Sequence, residues 1–371
     1  MINLLIKYLR KMTLGRLFLI PHTSFWFKRQ EKLLYVFRQE IFGAFIAGLC
    51  ISILFAACTP NNSANPTATS ATNATDTKSS VVRFGYQKSA ILLKSKGVLE
   101  TRLKPEGVSV QWIEFPAGPQ LLEAMNVGSI DFGHTGESPP IFAQAAGASL
   151  TYIAGIAPSP AGEAILVPQN SPIKTLADLK GKKIVFQKGS SAHYFVLQVL
   201  EKAGLKYSDI LPISLPPADA RAAFVKGNID AWSIWDPFYA DAEKNTNARV
   251  LVDGKNINKQ GGYYLATRKF ANENPQTVKA ILEEIKKLEN WSDKNREAVA
   301  EALAPVLKID LEVLKKATFR KSFGVVPINQ GLINEQQKVA DTFYDLKLIP
   351  KKIDVKDAML KPEQYAALSP S

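Results

Sequence analysis

The sequence predicts an α/β protein of two related lobes, joined by two hinge strands, with a ligand cleft between them. Three observations carry this. The stretch from Lys182 to Gly204, KKIVFQKGSSAHYFVLQVLEKAG, reads as a buried strand that turns through Gly189-Ser190-Ser191 into a helix. The same grammar occurs twice, about one hundred residues apart: Phe186-Gln187-Lys188 echoes Tyr86-Gln87-Lys88, Pro217-Ala218-Asp219-Ala220 echoes Pro116-Ala117-Gly118-Pro119, and Val225 to Asp230 echoes Asn126 to Asp131. Two extended apolar runs, Ala164 to Val167 leaving the first lobe and Tyr263 to Ala266 returning to it, read as the hinge strands.

In the central stretch, Ile184-Val185-Phe186 is β-rich, and Ala192, Val196, Val199, Leu200 and Ala203 then fall on one helical face. Gly204 supplies a left-handed cap that brings Leu205 onto Leu200. A strand entering a helix through glycine and serines leaves backbone N–H groups and two hydroxyls beside the positive end of the helix dipole. Such a spot binds an anion. Taken alone, Ser190 or Ser191 reads more simply as an N-cap; the rest of the chain turns the reading towards a ligand.

The other elements follow in order. Val81 to Tyr86 is a strand, and Gln87 to Ala90 opens a helix towards Lys96-Gly97. Val108 to Phe115 is a second strand. A helix from Pro116-Ala117-Gly118-Pro119 presents Leu121, Leu122 and Met125 and ends at Gly128. Ile130 to Gly133 is a third strand, His134 to Glu137 a polar loop and Ser138 to Ala146 a helix; Ser233 to Asp236 is the matching loop of the second lobe. Loops at the carboxyl ends of strands in open α/β sheets are where ligands bind. From Asn274 onward the pattern is helical and completes the first lobe. The expected boundaries are 81–165 and 263–371 for the first lobe and 166–262 for the second.

The 371 residues suffice for two cores, and 46% hydrophobic with 22% charged residues is ordinary for a folded chain. Of the net charge of +12, residues 1–57 hold +6, from eight Lys/Arg against Glu31 and Glu40. No basic cluster with interleaved aromatics follows, so nucleic acid is not an expected partner. Ile41 to Ala57 carries no charge, follows a basic region and ends in small residues, which marks 1–57 as a signal peptide. Leu54 to Cys58 resembles the lipobox of bacterial lipoproteins, with Phe55 in place of the usual Leu, and implies lipidation of Cys58. Residues 58–80, rich in Thr, Asn, Ala and Ser, are a flexible tether. Cys58 is then the one cysteine left after cleavage, so no disulfide forms within the mature chain.

The stretches EFPAGPQLLEAMNVGSIDFGHTGESPPIFAQAAGA, FQKGSSAHY and PADARAAFVKGNIDAWSIWDPFYA together resemble the aliphatic sulfonate-binding proteins, the extracytoplasmic receptors of ABC importers. The resemblance runs from about Val81 to about Val355. It implies a two-lobed, type II-like periplasmic-binding-protein fold that closes on its ligand, in a monomer with an ABC permease and its cytoplasmic ATPase as partners. It implies an alkanesulfonate as ligand, for sulfur acquisition, with taurine, nitrate or another small ligand of the same fold as alternatives. Carried over position by position, it puts Gln87, Gly118, Thr135 and Gly136 on the first lobe's wall and Ser190, Ser191, Trp235 and Asp236 on the second's.

A sulfonate stays ionised at physiological pH and only accepts hydrogen bonds, so its site needs donors. The hydroxyls of Thr135, Ser190 and Ser191, the Gln87 amide and backbone N–H groups provide them. Each charge-assisted bond contributes roughly 1.5–3 kcal/mol, against roughly 4–15 kcal/mol for ordering the ligand and closing the lobes. Four or five bonds from both lobes therefore reach about −8 kcal/mol, whereas one helix end does not. Trp235 is the expected cover for the carbon tail. Asp236 is expected to hold loop N–H groups or to meet the ammonium of a taurine-like ligand. Affinity is expected to stay level between about pH 6 and 8, with a steep dependence pointing to His193, which is read as a polar wall contact.

His134 and His193, placed on loops of opposite lobes, lack the cysteines or spaced acids of a zinc set, and His22 falls in the leader. No GxxxxGK[ST] surrounds the Gly-Ser-Ser turn. Neither metal nor cofactor is expected. A secreted hydrolase using Ser190 with His193 as base is the competing class, and it lacks a third group to orient the histidine.

Overall fold

The computed structural model describes Ser80–Leu368; the expected signal peptide with His22, and the tether with Cys58 up to residue 79, lie outside the described residues, while Ser80 already belongs to the first strand. Eleven strands follow in order: β1 (Ser80–Tyr86), β2 (Val108–Glu114), β3 (Phe132–Thr135), β4 (Leu150–Ile156), β5 (Glu163–Pro168), β6 (Lys183–Phe186), β7 (Leu211–Ser214), β8 (Ala231–Trp235), β9 (Ala248–Asp253), β10 (Tyr263–Thr267) and β11 (Val325–Val326). They build two sheets, ordered β11-β4-β10-β3-β1-β2 and β7-β6-β8-β5-β9. In the first, β1 runs parallel to β2 and β3, and β10 is antiparallel to β3 and β4. In the second, β6 runs parallel to β7 and β8, and β5 is antiparallel to β8 and β9. The order β2-β1-β3-β10-β4 thus corresponds to β7-β6-β8-β5-β9, which is the physical content of the sequence repeat.

The runs expected as hinges are strands inside the sheets. Ala164–Val167 lies in β5 and Tyr263–Ala266 in β10, each the antiparallel strand made directly after the chain passes from one sheet to the other. The passages themselves are residues 157–162 and 254–262. They run side by side: a Cβ added to Gly254 would collide with the Pro160 carbonyl oxygen. Extended apolar residues suit a hinge or a buried strand equally well, and only their distant partners decide.

Two loops also prove to be strand. His134 and Thr135 belong to β3, paired with Tyr264 and Tyr263, and Ser233 to Trp235 belong to β8, paired with Ile165 to Glu163. The helix expected after Gln87 breaks into a short turn, Leu92–Ser95 and Val98–Leu103, separated by Gly97.

The helix Ser191–Lys202 ends as expected: Gly204 has φ of 69°, and Leu205 N–H donates to the Leu200 carbonyl at 2.8 Å. It is buried on two faces rather than one. Ala192, Phe195, Val196, Val199 and Leu200 enter the core of the second lobe. Tyr194 and Leu197 pack with Ile141, Val339 and Phe343 of the helices Ser138–Ala145 and Gln330–Asp345. The helix Pro275–Lys294 lays Val278, Ile281, Leu282 and Ile285 on the first sheet, against Phe84 and Phe132. The helix Leu311–Arg320 instead packs on the second lobe, where Val313 and Ala317 meet Ala240. Among the described residues no helix is long and apolar enough to cross a membrane.

Candidate ligand-binding site

The carboxyl ends of β1, β3, β6 and β8 open onto one cavity of about 260 Å³. Gln87, Gly118, Thr135 and Gly136 line it from the first lobe, and Ser190, Ser191, Trp235 and Asp236 from the second. The lobes meet here: a Cβ added to Gly136 would stand 3.0 Å from Ser191 Cβ, so the lack of a side chain lets β3 approach the start of the helix Ser191–Lys202. Gly118 packs in the same way against Pro139 and Thr135.

Three of the expected donors also brace the wall. Thr135 Oγ1 donates to the Gly136 carbonyl at 2.9 Å, Ser190 Oγ to the Gln187 carbonyl at 2.7 Å, and Gln87 Nε2 to the His134 carbonyl at 3.0 Å. Ser190 is the N-cap residue by position, with no side-chain cap bond. The His193 N–H donates to the Ser190 carbonyl at 3.0 Å, which leaves the N–H groups of Ser191 and Ala192 at the start of the helix for an anion.

Trp235 is half-buried, its ring edge-on to Phe238 with centroids 6.3 Å apart, whereas Trp232 lies wholly in the second lobe's core. Asp236 Oδ1 accepts the N–H of Ala240, in the first turn of the helix Phe238–Asn245 and not in a loop, at 2.9 Å, and faces Arg320 Nη1 at 3.6 Å. Burial pushes its carboxyl up to about 7, with Arg320 opposing. His134 lines the cavity, and burial, helped by Lys321, pushes its imidazole down to about 3, so it is neutral.

His193 is not a wall residue. Its side chain is fully buried away from the cavity, stacked on Phe186 with centroids 4.7 Å apart and flanked by Phe142, Tyr207 and Phe343. Its Nδ1 accepts the Gly189 N–H at 3.2 Å, so it shapes the Gly-Ser-Ser turn from behind. The helix was read with one apolar face, and the face carrying His193 proves to be buried as well. With the Ser190 hydroxyl committed to Gln187 and His193 to Gly189, no serine–base pair forms, and the hydrolase arrangement is not present.

Sequence reasoning missed other parts of the wall. Val299, Leu303 and Leu307 of the helix Arg296–Leu307, with Leu314, add an apolar side remote in sequence from both lobes' motifs. Glu137 and Glu163 are both buried in it, and Asn258, Gln260, Lys321 and Glu289 line it too. Asn258 and Gln260 stand on the second passage, where the side-chain pattern gives no signal. Glu137 was visible beside the Thr135-Gly136 pair with its role open, whereas Glu163, at the start of an apolar run, carried no signal of a site.

The NMT1/THI5 like family matches residues 103–292. An aliphatic sulfonates-binding relative from Escherichia coli (strain K12) is 46% identical over 295 residues, 78% of this chain and 92% of its own. Among solved structures, the alkanesulfonate-binding protein SsuA of Xanthomonas axonopodis pv. citri, bound to MOPS, is 42% identical with a TM-score of 0.73, covering 76% of this chain and 98% of that one. The periplasmic aliphatic sulphonate binding protein SsuA of Escherichia coli is 45% identical with a TM-score of 0.69, over 76% and 92% of the two chains. The chain belongs to the NMT1/THI5-like family, among the aliphatic sulfonate-binding proteins.

Proposed function

We propose that this protein is an extracytoplasmic receptor that captures an aliphatic sulfonate between its lobes and delivers it to the permease of an ABC importer for sulfur acquisition. It is held at the membrane by a lipid on Cys58 and acts as a monomer. The observation that carries the reading is the convergence on one cavity of polar groups from strand ends of both sheets, Thr135 and Gly136 facing Ser190 and Ser191. The relatives' names support it, as does the relative at 42% identity, solved bound to MOPS, which is itself a sulfonate. Trp235 covers the ligand's first carbons, and the apolar side formed by Leu303, Leu307 and Leu314 receives a longer tail.

A thermal-shift screen of methanesulfonate, longer alkanesulfonates, taurine, nitrate and sulfate tests this. Stabilisation by sulfonates, with the ligand recovered unchanged, is the expected outcome. A response to nitrate alone, or recovery of an altered product, would overturn it.

A further inference from the structure

Glu137 and Glu163 enter the cavity from opposite lobes, Glu137 directly after Gly136 and Glu163 as the first residue of β5. Their exposures are 2% and 4%. Asn258 fixes the roles of the Glu163 oxygens. Its Oδ1 accepts the Gln260 N–H at 3.0 Å, which leaves Nδ2 to donate to Glu163 Oε2 at 2.8 Å. Glu163 Oε1 is buried without a hydrogen-bond partner.

Among the described residues, no positively charged group faces the pair. Ser191, on the helix Ser191–Lys202, and Asn258, on the second passage, face Glu163; Ser138 donates to Glu137 Oε1 at 2.9 Å; Gln336 takes the Glu137 carbonyl; Tyr194 and Tyr263 are the remaining titratable neighbours of Glu137. The charged groups elsewhere in the cavity are otherwise engaged: Asp236 with Arg320, Glu289 with Lys321 at 3.7 Å, and Lys88 over the Phe238 ring. Burial raises both carboxyls well above the ordinary carboxylate range, and repulsion from Glu137 raises Glu163 further. Neither neutral histidine titrates near pH 7, since burial holds His134 and His193 down to about 3.

We propose that Glu163 is a ligand-binding residue in its protonated form, its Oε1 hydroxyl donating to an anion held at Gly136 and Ser191, so that the protein takes up a proton together with its ligand. The proton comes from solvent onto the carboxylate, and no other bond changes. A fixed negative charge beside two buried acids is repelled unless the nearer one is neutral; once neutral, that acid becomes a donor. The inference rests on the sulfonate reading and replaces the expectation of level affinity near neutral pH.

Calorimetric titration of methanesulfonate into the mature protein, in two buffers of different ionisation enthalpy between about pH 6 and 9, reads the proton directly and needs no variant. Uptake approaching one proton per ligand is expected at the alkaline end, with the Kd rising by up to about tenfold per pH unit there. In Glu163→Gln the amide imitates the neutral acid, so uptake disappears and affinity levels out. Zero uptake by the unaltered protein, or uptake persisting in E163Q, would overturn the inference and leave the receptor reading standing. So would tighter binding of taurine with rising pH, which would make the pair an ionised seat for an ammonium. Failure of every sulfonate to saturate the protein at any pH removes the receptor reading itself.

Discussion

Gly136 is where one lobe touches the other, and its hydrogen is the group that fits. An alanine Cβ there would stand 3.0 Å from Ser191 Cβ, closer than side chains ordinarily pack. In the proposed receptor that contact forms as the lobes shut, so Gly136→Ala is expected to weaken sulfonate binding by about tenfold, about 1.4 kcal/mol, while leaving thermal stability without ligand nearly unchanged. Calorimetry beside thermal melts separates the two, and unchanged affinity would speak against closure at this point. Thr135-Gly136 and Ser190-Ser191 were legible in the sequence because strand-end turns are written in consecutive residues. Glu163 was not, because its meaning depends on Asn258, ninety-five residues away.

The helix Ser191–Lys202 is the element whose reading changed most. Its inner face was legible from the spacing of Val196, Val199 and Leu200, and its end from Gly204. The second buried face, with Tyr194 and Leu197, exists because the helices Ser138–Ala145 and Gln330–Asp345 arrive from far along the chain. His193 lies between the two clusters and is held down to about 3, against about 6.5 when unfolded. Between those values the unfolded chain binds more protons, so this histidine contributes stability that is present above about pH 6.5 and is lost as pH falls towards 3, by up to about 1.4 kcal/mol per pH unit. His193→Phe is expected to flatten the dependence of melting temperature on pH between about pH 4 and 6.5, even though losing the acceptor for Gly189 N–H lowers stability throughout. An acid limb as steep as that of the unaltered protein would show that His193 is not buried in its neutral form.

At the scale of the whole molecule, two copies of one topological unit face each other, and the repeat in the sequence was sufficient to announce them. The second passage was legible, ending where the expected boundary 262/263 fell, but the expected boundary at 165/166 lies inside β5, because β5 and β10 have the composition of either a hinge or a core. Nor was the contribution of the helix Leu311–Arg320, which ties itself to the second lobe through Lys316 and Arg320 with Glu243, at 2.9 and 2.7 Å, and through Lys244 with Asp310 at 2.6 Å. The more exposed pairs, Lys316 with Glu243 and Lys244 with Asp310, each contribute at most about 1 kcal/mol, so they orient the helix more than they hold the lobes together. What remains is a cavity between sheets whose two walls carry complementary sets of donors. Titration calorimetry of an alkanesulfonate into the protein and into two variants, Thr135→Ala on one wall and Ser190→Ala/Ser191→Ala on the other, tests the shared grip most directly. Saturable one-to-one binding near micromolar Kd, weakened tenfold or more by either change, is the predicted result; affinity indifferent to one of the two walls would contradict it.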